Sequence, residues 1–231
     1  MAALGLLASS GLGSLLGMRH ALEPDHVAAI ATLVTGDRRT RAAFLGLCWG
    51  LGHTLTLITA GAILILLRGQ MPAAAANLFE LTVALMLIAL GSRAIYRAAR
   101  QGPAGPIHAH HHGRVVHVHR GVSAHVHIGT WTLARRPLLV GAMHGLAGSG
   151  ALTALVVATL PSTAARLAYM ALFGAGSTFG MAAMSGLLGW PLARAGSDRR
   201  FGRAVSFVVG CVSTAIGLMY GTRALGFEFL R

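Results

Sequence analysis

Apolar residues in this chain do not alternate with polar ones; they gather into six long blocks at approximately 3–34, 43–67, 78–96, 138–160, 167–192 and 204–225, the first of them long and interrupted. The hydrocarbon core of a bilayer is roughly 30 Å thick and takes on the order of 20 apolar residues of helix to cross. Each block therefore predicts one transmembrane helix. Three helices precede and three follow a polar segment at 101–136 that is rich in Gly, Pro and His. The pattern predicts an all-α integral membrane protein in three parts: a first three-helix unit at 1–100, a His-rich loop at 101–136, and a second three-helix unit at 137–231.

Composition agrees with that pattern. Of the 231 residues 55% are hydrophobic and only 11% charged, whereas soluble domains carry about 25% charged residues. The formal charge is +13, and every one of the 19 basic residues is Arg. No aromatic-basic binding motif accompanies these arginines, so nucleic acid is not expected as a partner. Their placement reads instead as topology. Fourteen lie in the loops after the first, third and fifth blocks or at the adjoining helix ends, against Arg68, Arg166, Arg223 and Arg231 on the other side. The positive-inside rule then puts the His-rich loop in the cytoplasm and both termini outside a cell (inner) membrane. The apolar stretch from Met1 to Gly17 lacks an early positive region and reads as part of a retained helix, not a cleaved signal. Cys48 and Cys211 both fall in apolar blocks and read as small buried hydrophobes.

The two halves resemble each other. Gly17-Met18-Arg19-His20-Ala21-Leu22 aligns with Gly141-Ala142-Met143-His144-Gly145-Leu146, and Trp49-Gly50-Leu51-Gly52-His53-Thr54 aligns with Phe173-Gly174-Ala175-Gly176-Ser177-Thr178, both at an offset of 124. A third match, Leu90 to Ala94 with Tyr220 to Ala224, needs an offset of 130 and hence a short insertion. Because the repeat unit holds three helices, consecutive copies enter the membrane from opposite sides. Such inverted repeats characterise secondary transporters that bind substrate at the repeat interface.

Ionisable residues inside a span mark function by default, and His20, Glu23, Asp25 and His26 crowd into seven residues of the first block. Imidazole and carboxylate suit Ni, Co, Zn or Fe(II), and no cysteine is near enough to favour Cu(I). On an unbroken helix His26 would lie about 240° around the axis from His20, on a different face. Pro24 removes a backbone donor and clashes with the carbonyl four residues back, that of His20. A break at 20–24 brings both imidazoles and Asp25 into one cavity; a solvated helix end at the membrane surface is the plainer alternative. His53, between glycines in the second block, is a further ligand or a packing residue. His144 sits at the repeat position of His20, whereas Ser149 and Gly150 replace Asp25 and His26. The expected metal set is His20, Asp25, His26, His53 and His144, with Glu23, Ser149, Ser177 and Thr178 as outer partners.

The central loop holds His108, His110, His111, His112, His117, His119, His125 and His127. Imidazoles at this density read as a metal-gathering tract, and the alternation in Val115-Val116-His117-Val118-His119 also fits a short hairpin. No nucleotide-binding loop or hydrolase motif occurs, and no bound cofactor is expected. Cys48 and Cys211 are not repeat equivalents, which disfavours a thiol electron carrier.

Arg19-His20-Ala21-Leu22-Glu23-Pro24-Asp25-His26-Val27-Ala28-Ala29-Ile30 resembles the H-x4-D-H signature of the nickel/cobalt transporter family, including its short urease-accessory-type members, and Leu51-Gly52-His53-Thr54 is similar to that family's LGHS-type motif. The resemblance implies a non-enzymatic permease for Ni2+ or Co2+, with His20, Asp25 and His26 at the selectivity site and His53 nearby. Larger members carry eight spans and an acidic D-T-A-T-E-like motif, where this chain has Gly176-Ser177-Thr178-Phe179-Gly180. The exporter branch has Gly in place of Asp25, so uptake is expected over efflux. The competing expectation is a membrane metal sensor or metallochaperone supplying a metalloenzyme. The expected partners are the bilayer, the divalent ion and a cytoplasmic metallochaperone.

Overall fold

The computed structural model describes residues 2–34, 39–66, 72–100, 107–112, 115–120, 126–128, 131–145, 160, 162–195 and 199–226. The first apolar block forms two helices, α1 (Ala2–His20) and α2 (Pro24–Val34). The junction follows from Pro24, which cannot continue α1 but suits the first position of a new helix. Tight turns close the gap, with Leu22 N donating to the Arg19 carbonyl at 2.9 Å and Glu23 N to that of His20 at 3.0 Å. At 1.5 Å per residue the 11 residues of α2 reach only about 16 Å.

Among the described residues four helices are long and apolar enough to cross a membrane: α3 (Arg39–Leu66), α4 (Ala73–Arg100), α6 (Thr163–Ala195) and α7 (Arg199–Ala224). Between α4 and α6 lies the short α5 (Arg135–His144), which opens the fourth apolar block three residues before the boundary expected from sequence. The rest of that block, from 146 to 159, lies outside the described residues, as does Ser149.

The polar segment is not wholly irregular. It forms two antiparallel hairpins, β1 (Ile107–His112) with β2 (Val115–Arg120), and β3 (Val126–Ile128) with β4 (Trp131–Leu133). The all-α description thus applies to the apolar blocks and not to this segment. In the first hairpin His108 stands opposite His119 and His110 opposite His117, so the alternation of 115–119 is that of a strand. His125 lies outside the described residues.

Helix packing follows a reciprocal scheme. α3 packs on α6 and α4 on α7, while α1 lies on α6 as α5 lies on α3. A Cβ on Gly17 of α1 would strike the Phe173 carbonyl of α6, and one on Gly141 of α5 would strike the Trp49 carbonyl of α3. Gly176 meets the Ser14 carbonyl and Gly52 that of Leu138 in the same reciprocal way. Between α3 and α6, Thr54 and Thr178 hydroxyls meet at 2.9 Å, 124 residues apart. Close backbone approach at small residues is how helices associate where lipid removes the usual hydrophobic drive.

The α4–α7 contact uses a different spacing. Ser213 donates to the Leu87 carbonyl at 3.0 Å, 126 residues apart, and Gly91 faces the Gly210 carbonyl as Gly217 faces that of Ala84. Packing therefore relates Gly91 to Gly217 and not to Gly221.

The buried core, with Ile30, Trp49, Leu87 and Met181, is compact. Large apolar side chains such as Leu55, Leu66, Leu78 and Phe179 point outward. An apolar exterior of that kind suits lipid and would be an association surface in water.

Candidate metal centre

The break after α1 determines where the chemistry collects. His20 is the last residue of α1, and Asp25 and His26 sit in the first turn of α2, so the break turns one side chain back against the next two. The His20 and His26 rings lie 4.3 Å apart, edge to face. His53 comes from the middle of α3, its ring 5.2 Å from that of His20 and 5.4 Å from that of His26. His144, the last residue of α5, places its ring 4.1 Å from that of His26. All five side chains are buried, the most exposed being His20 at 4%.

Asp25 joins the halves. His26 Nδ1 donates to its Oδ1 at 3.1 Å and His144 Nε2 to its Oδ2 at 2.8 Å. Half-exposed Glu23 takes Nδ1 of His20 at 3.0 Å. Carboxylates that bind one imidazole nitrogen fix the ring and present the other nitrogen, the usual outer arrangement of a metal-binding His.

Five buried ring nitrogens have no hydrogen-bond partner among the described residues: the three so presented, His20 Nε2, His26 Nε2 and His144 Nδ1, and both nitrogens of His53. Leaving a buried polar atom unsatisfied costs about 1–3 kcal/mol, so five in one cluster call for an occupant. Two overlapping sets have ligand atoms within 4.8 Å of one another: His20, His26 and His53, and Asp25, His26 and His144. The donors are imidazole and carboxylate, a set that suits divalent transition metals such as Ni, Zn and Fe(II).

The expected outer residues divide. Glu23 touches the cluster, whereas the Ser177 hydroxyl donates to the Gly17 carbonyl at 3.1 Å and Thr178 meets Thr54. These two hydroxyls fasten α6 to α1 and α3. The side chains of the loop histidines are not described.

Two aromatic residues outside the expected metal set frame the cluster. Trp49 stacks on His26 with centroids 5.5 Å apart and stands 5.7 Å from His144, while Phe173 stands 5.4 Å from His20. They open the two repeat motifs, and that shared position was the signal available in the sequence.

Bilayer-length helices closed over a sealed polar cluster define a class: a multi-pass membrane protein with a polar site in its interior. The family is equally plain, since residues 6–218 match NicO, described as high-affinity nickel-transport protein, and the chain belongs to that family. It is a family of metal-ion transporters, not enzymes. The chain is 32% identical over 216 residues to the urease accessory protein UreH of Bacillus sp. (strain TB-90), covering 93% of this chain and 91% of that one. It is also 25% identical over 186 residues to the chloroplast protein FOR GROWTH AND FERTILITY 2 of Arabidopsis thaliana, covering 80% of this chain and 48% of the relative. No solved structure matches the chain.

Proposed function

We propose that this protein is a secondary permease that takes up Ni2+ or Co2+ through a transit site made of His20, Asp25, His26, His53 and His144. The observation that carries the reading is the set of buried imidazole nitrogens without hydrogen-bond partners among the described residues, gathered from α1, α2, α3 and α5. A hydrated divalent ion exchanges its waters for these donors, and Asp25 supplies negative charge where the dielectric is low. Neutral imidazole is a fitting donor for a cargo that must leave again, because binding must be weak enough for release as well as tight enough for entry.

In this reading the six apolar blocks are six spans in two inverted three-helix repeats, with the termini outside and the His-rich hairpins in the cytoplasm. Supporting it are the reciprocal packing of α1 on α6 and α5 on α3, and the Thr54–Thr178 contact between repeat-equivalent residues. The halves then rock about the cluster to expose it to one side at a time. The loop histidines receive the ion inside and pass it to a cytoplasmic metallochaperone. Asp25, absent from the exporter branch, supports uptake over efflux.

The test is uptake of Ni, Co, Zn and Fe by proteoliposomes carrying wild type or His20→Ala. Nickel or cobalt is expected to enter with wild type and to fall at least about tenfold with the variant, in line with the loss of a metal ligand. A second reading, a membrane metallochaperone for a metalloenzyme, is favoured by the name of the UreH relative. Deleting 108–127 separates the two: a permease keeps vesicle uptake, and a chaperone loses its delivery.

A further inference from the structure

The five residues of the cluster do not form a single set of donors within bonding reach of one another. Among the described residues, no set within bonding reach contains both His53 and Asp25, or both His20 and His144; the donors fall into His20, His26 and His53 on one hand and Asp25, His26 and His144 on the other. His26 alone belongs to both, and its ring stands almost equally far from those of His20 and His144, at 4.3 and 4.1 Å.

We propose that the transit site is two successive metal positions on opposite sides of the His26 ring, an all-imidazole position with His20 and His53 and a carboxylate position with Asp25 and His144. This rests on reading the cluster as the path of the ion. The two ring nitrogens of His26 face different surroundings. Nδ1 lies 3.1 Å from Asp25, whereas among the described residues Nε2 has no partner and neither has His20 Nε2 nor His53. The all-imidazole position thus uses Nε2 and the carboxylate position uses Nδ1. A neutral imidazole has one lone-pair nitrogen and one N–H, so passage from the first position to the second takes the proton off Nδ1 and puts one on Nε2, carried by water that enters with the ion; the positions fill alternately and a chain holds one ion in either of two shells.

Placement on the fold gives the split a purpose. His20 ends α1 and His144 ends α5, the repeat-equivalent helices that enter from opposite faces in the inverted arrangement. An ion that changes partners from His20 to His144 across His26 moves from one half of the molecule to the other without leaving protein donors. Asp25 then has two tasks in turn, holding the His26 ring when the first position is filled and binding the ion itself in the second.

Nickel K-edge X-ray absorption tests this on the full-length protein in detergent, with the eight loop histidines replaced by Gln and one equivalent of Ni2+ added. His144→Ala should leave three imidazoles on nickel, and His53→Ala should leave two imidazoles and a carboxylate, each with near one ion bound. Asp25→Asn, a milder change, should reproduce the three-imidazole shell. Identical shells in the His144 and His53 variants, or complete loss of nickel from either, would overturn the two positions. If the unsubstituted cluster binds and transports nickel in that case, the permease reading stands; if it binds none, both fall.

Discussion

His144 Nε2 lies 2.8 Å from Asp25 Oδ2 although 119 residues separate them in sequence. One carboxylate thereby ties the end of α5 to the start of α2, and its other oxygen holds His26 at 3.1 Å. Asp25→Ala leaves two buried donors unsatisfied, each costing about 1–3 kcal/mol. Thermal unfolding of the metal-free protein in detergent should therefore show a clear drop in midpoint. Asp25→Asn keeps one acceptor oxygen and should fall between the two; an unchanged midpoint in the alanine variant contradicts the tie.

Glu23 acts on His20 in the same manner but from a partly exposed position, 3.0 Å from Nδ1. Removing such an outer partner costs about 10–100-fold in metal affinity, and Glu23→Ala should sit near the low end because water can replace the carboxylate. Glu23→Gln keeps an acceptor and should recover most of the affinity. Nickel titration of the purified protein reads both. Equal weakening by the two substitutions would show that Glu23 acts through its charge and not by orienting the ring.

Gly17 and Gly141 make the reciprocal crossings of α1 on α6 and α5 on α3, where an added Cβ meets a carbonyl oxygen. Overpacking of this kind costs about 1–3 kcal/mol. Gly17→Ala and Gly141→Ala should destabilise the protein by similar amounts, while Gly11→Ala, with nothing within 4 Å, should be neutral. Unfolding in detergent compares the three, and a neutral Gly141→Ala would break the reciprocity.

Much of this arrangement was legible before the fold was known, for reasons that differ from residue to residue. Pro24 announced the break, because a missing N–H and a clash with the His20 carbonyl act locally whatever surrounds them. The approach of His53 and His144 to the same cluster was only half legible: each occupied a repeat position, but contact between α2 and α5 depends on how distant helices cross. The role of Ser177 is not legible in the sequence, since a hydroxyl inside a helix pair serves the nearest free carbonyl, here that of Gly17 at 3.1 Å. In α7 the sequence match points to Gly221 where packing uses Gly217. The two glycines lie one helical turn apart on one face, and letter similarity does not register a one-turn slip.

Inverted repeats place the loop before α3 and the loop before α6 on opposite sides of the membrane. Thr40 and Ser162 are exposed near those two starts. With Cys48 and Cys211 changed to Ser, Thr40→Cys should react with an impermeant thiol reagent only from the cytoplasmic side and Ser162→Cys only from outside. Labelling of both from one side would rule out the inverted arrangement.

The central claim is that metal crosses the bilayer by way of the buried cluster, and His26 is the residue shared by both sets of donors. The most direct measurement is the initial rate of radioactive nickel entry into proteoliposomes containing wild type or His26→Ala at equal protein content. The account predicts saturable entry with wild type and a rate near that of empty vesicles with the variant; equal entry by the two proteins would contradict it.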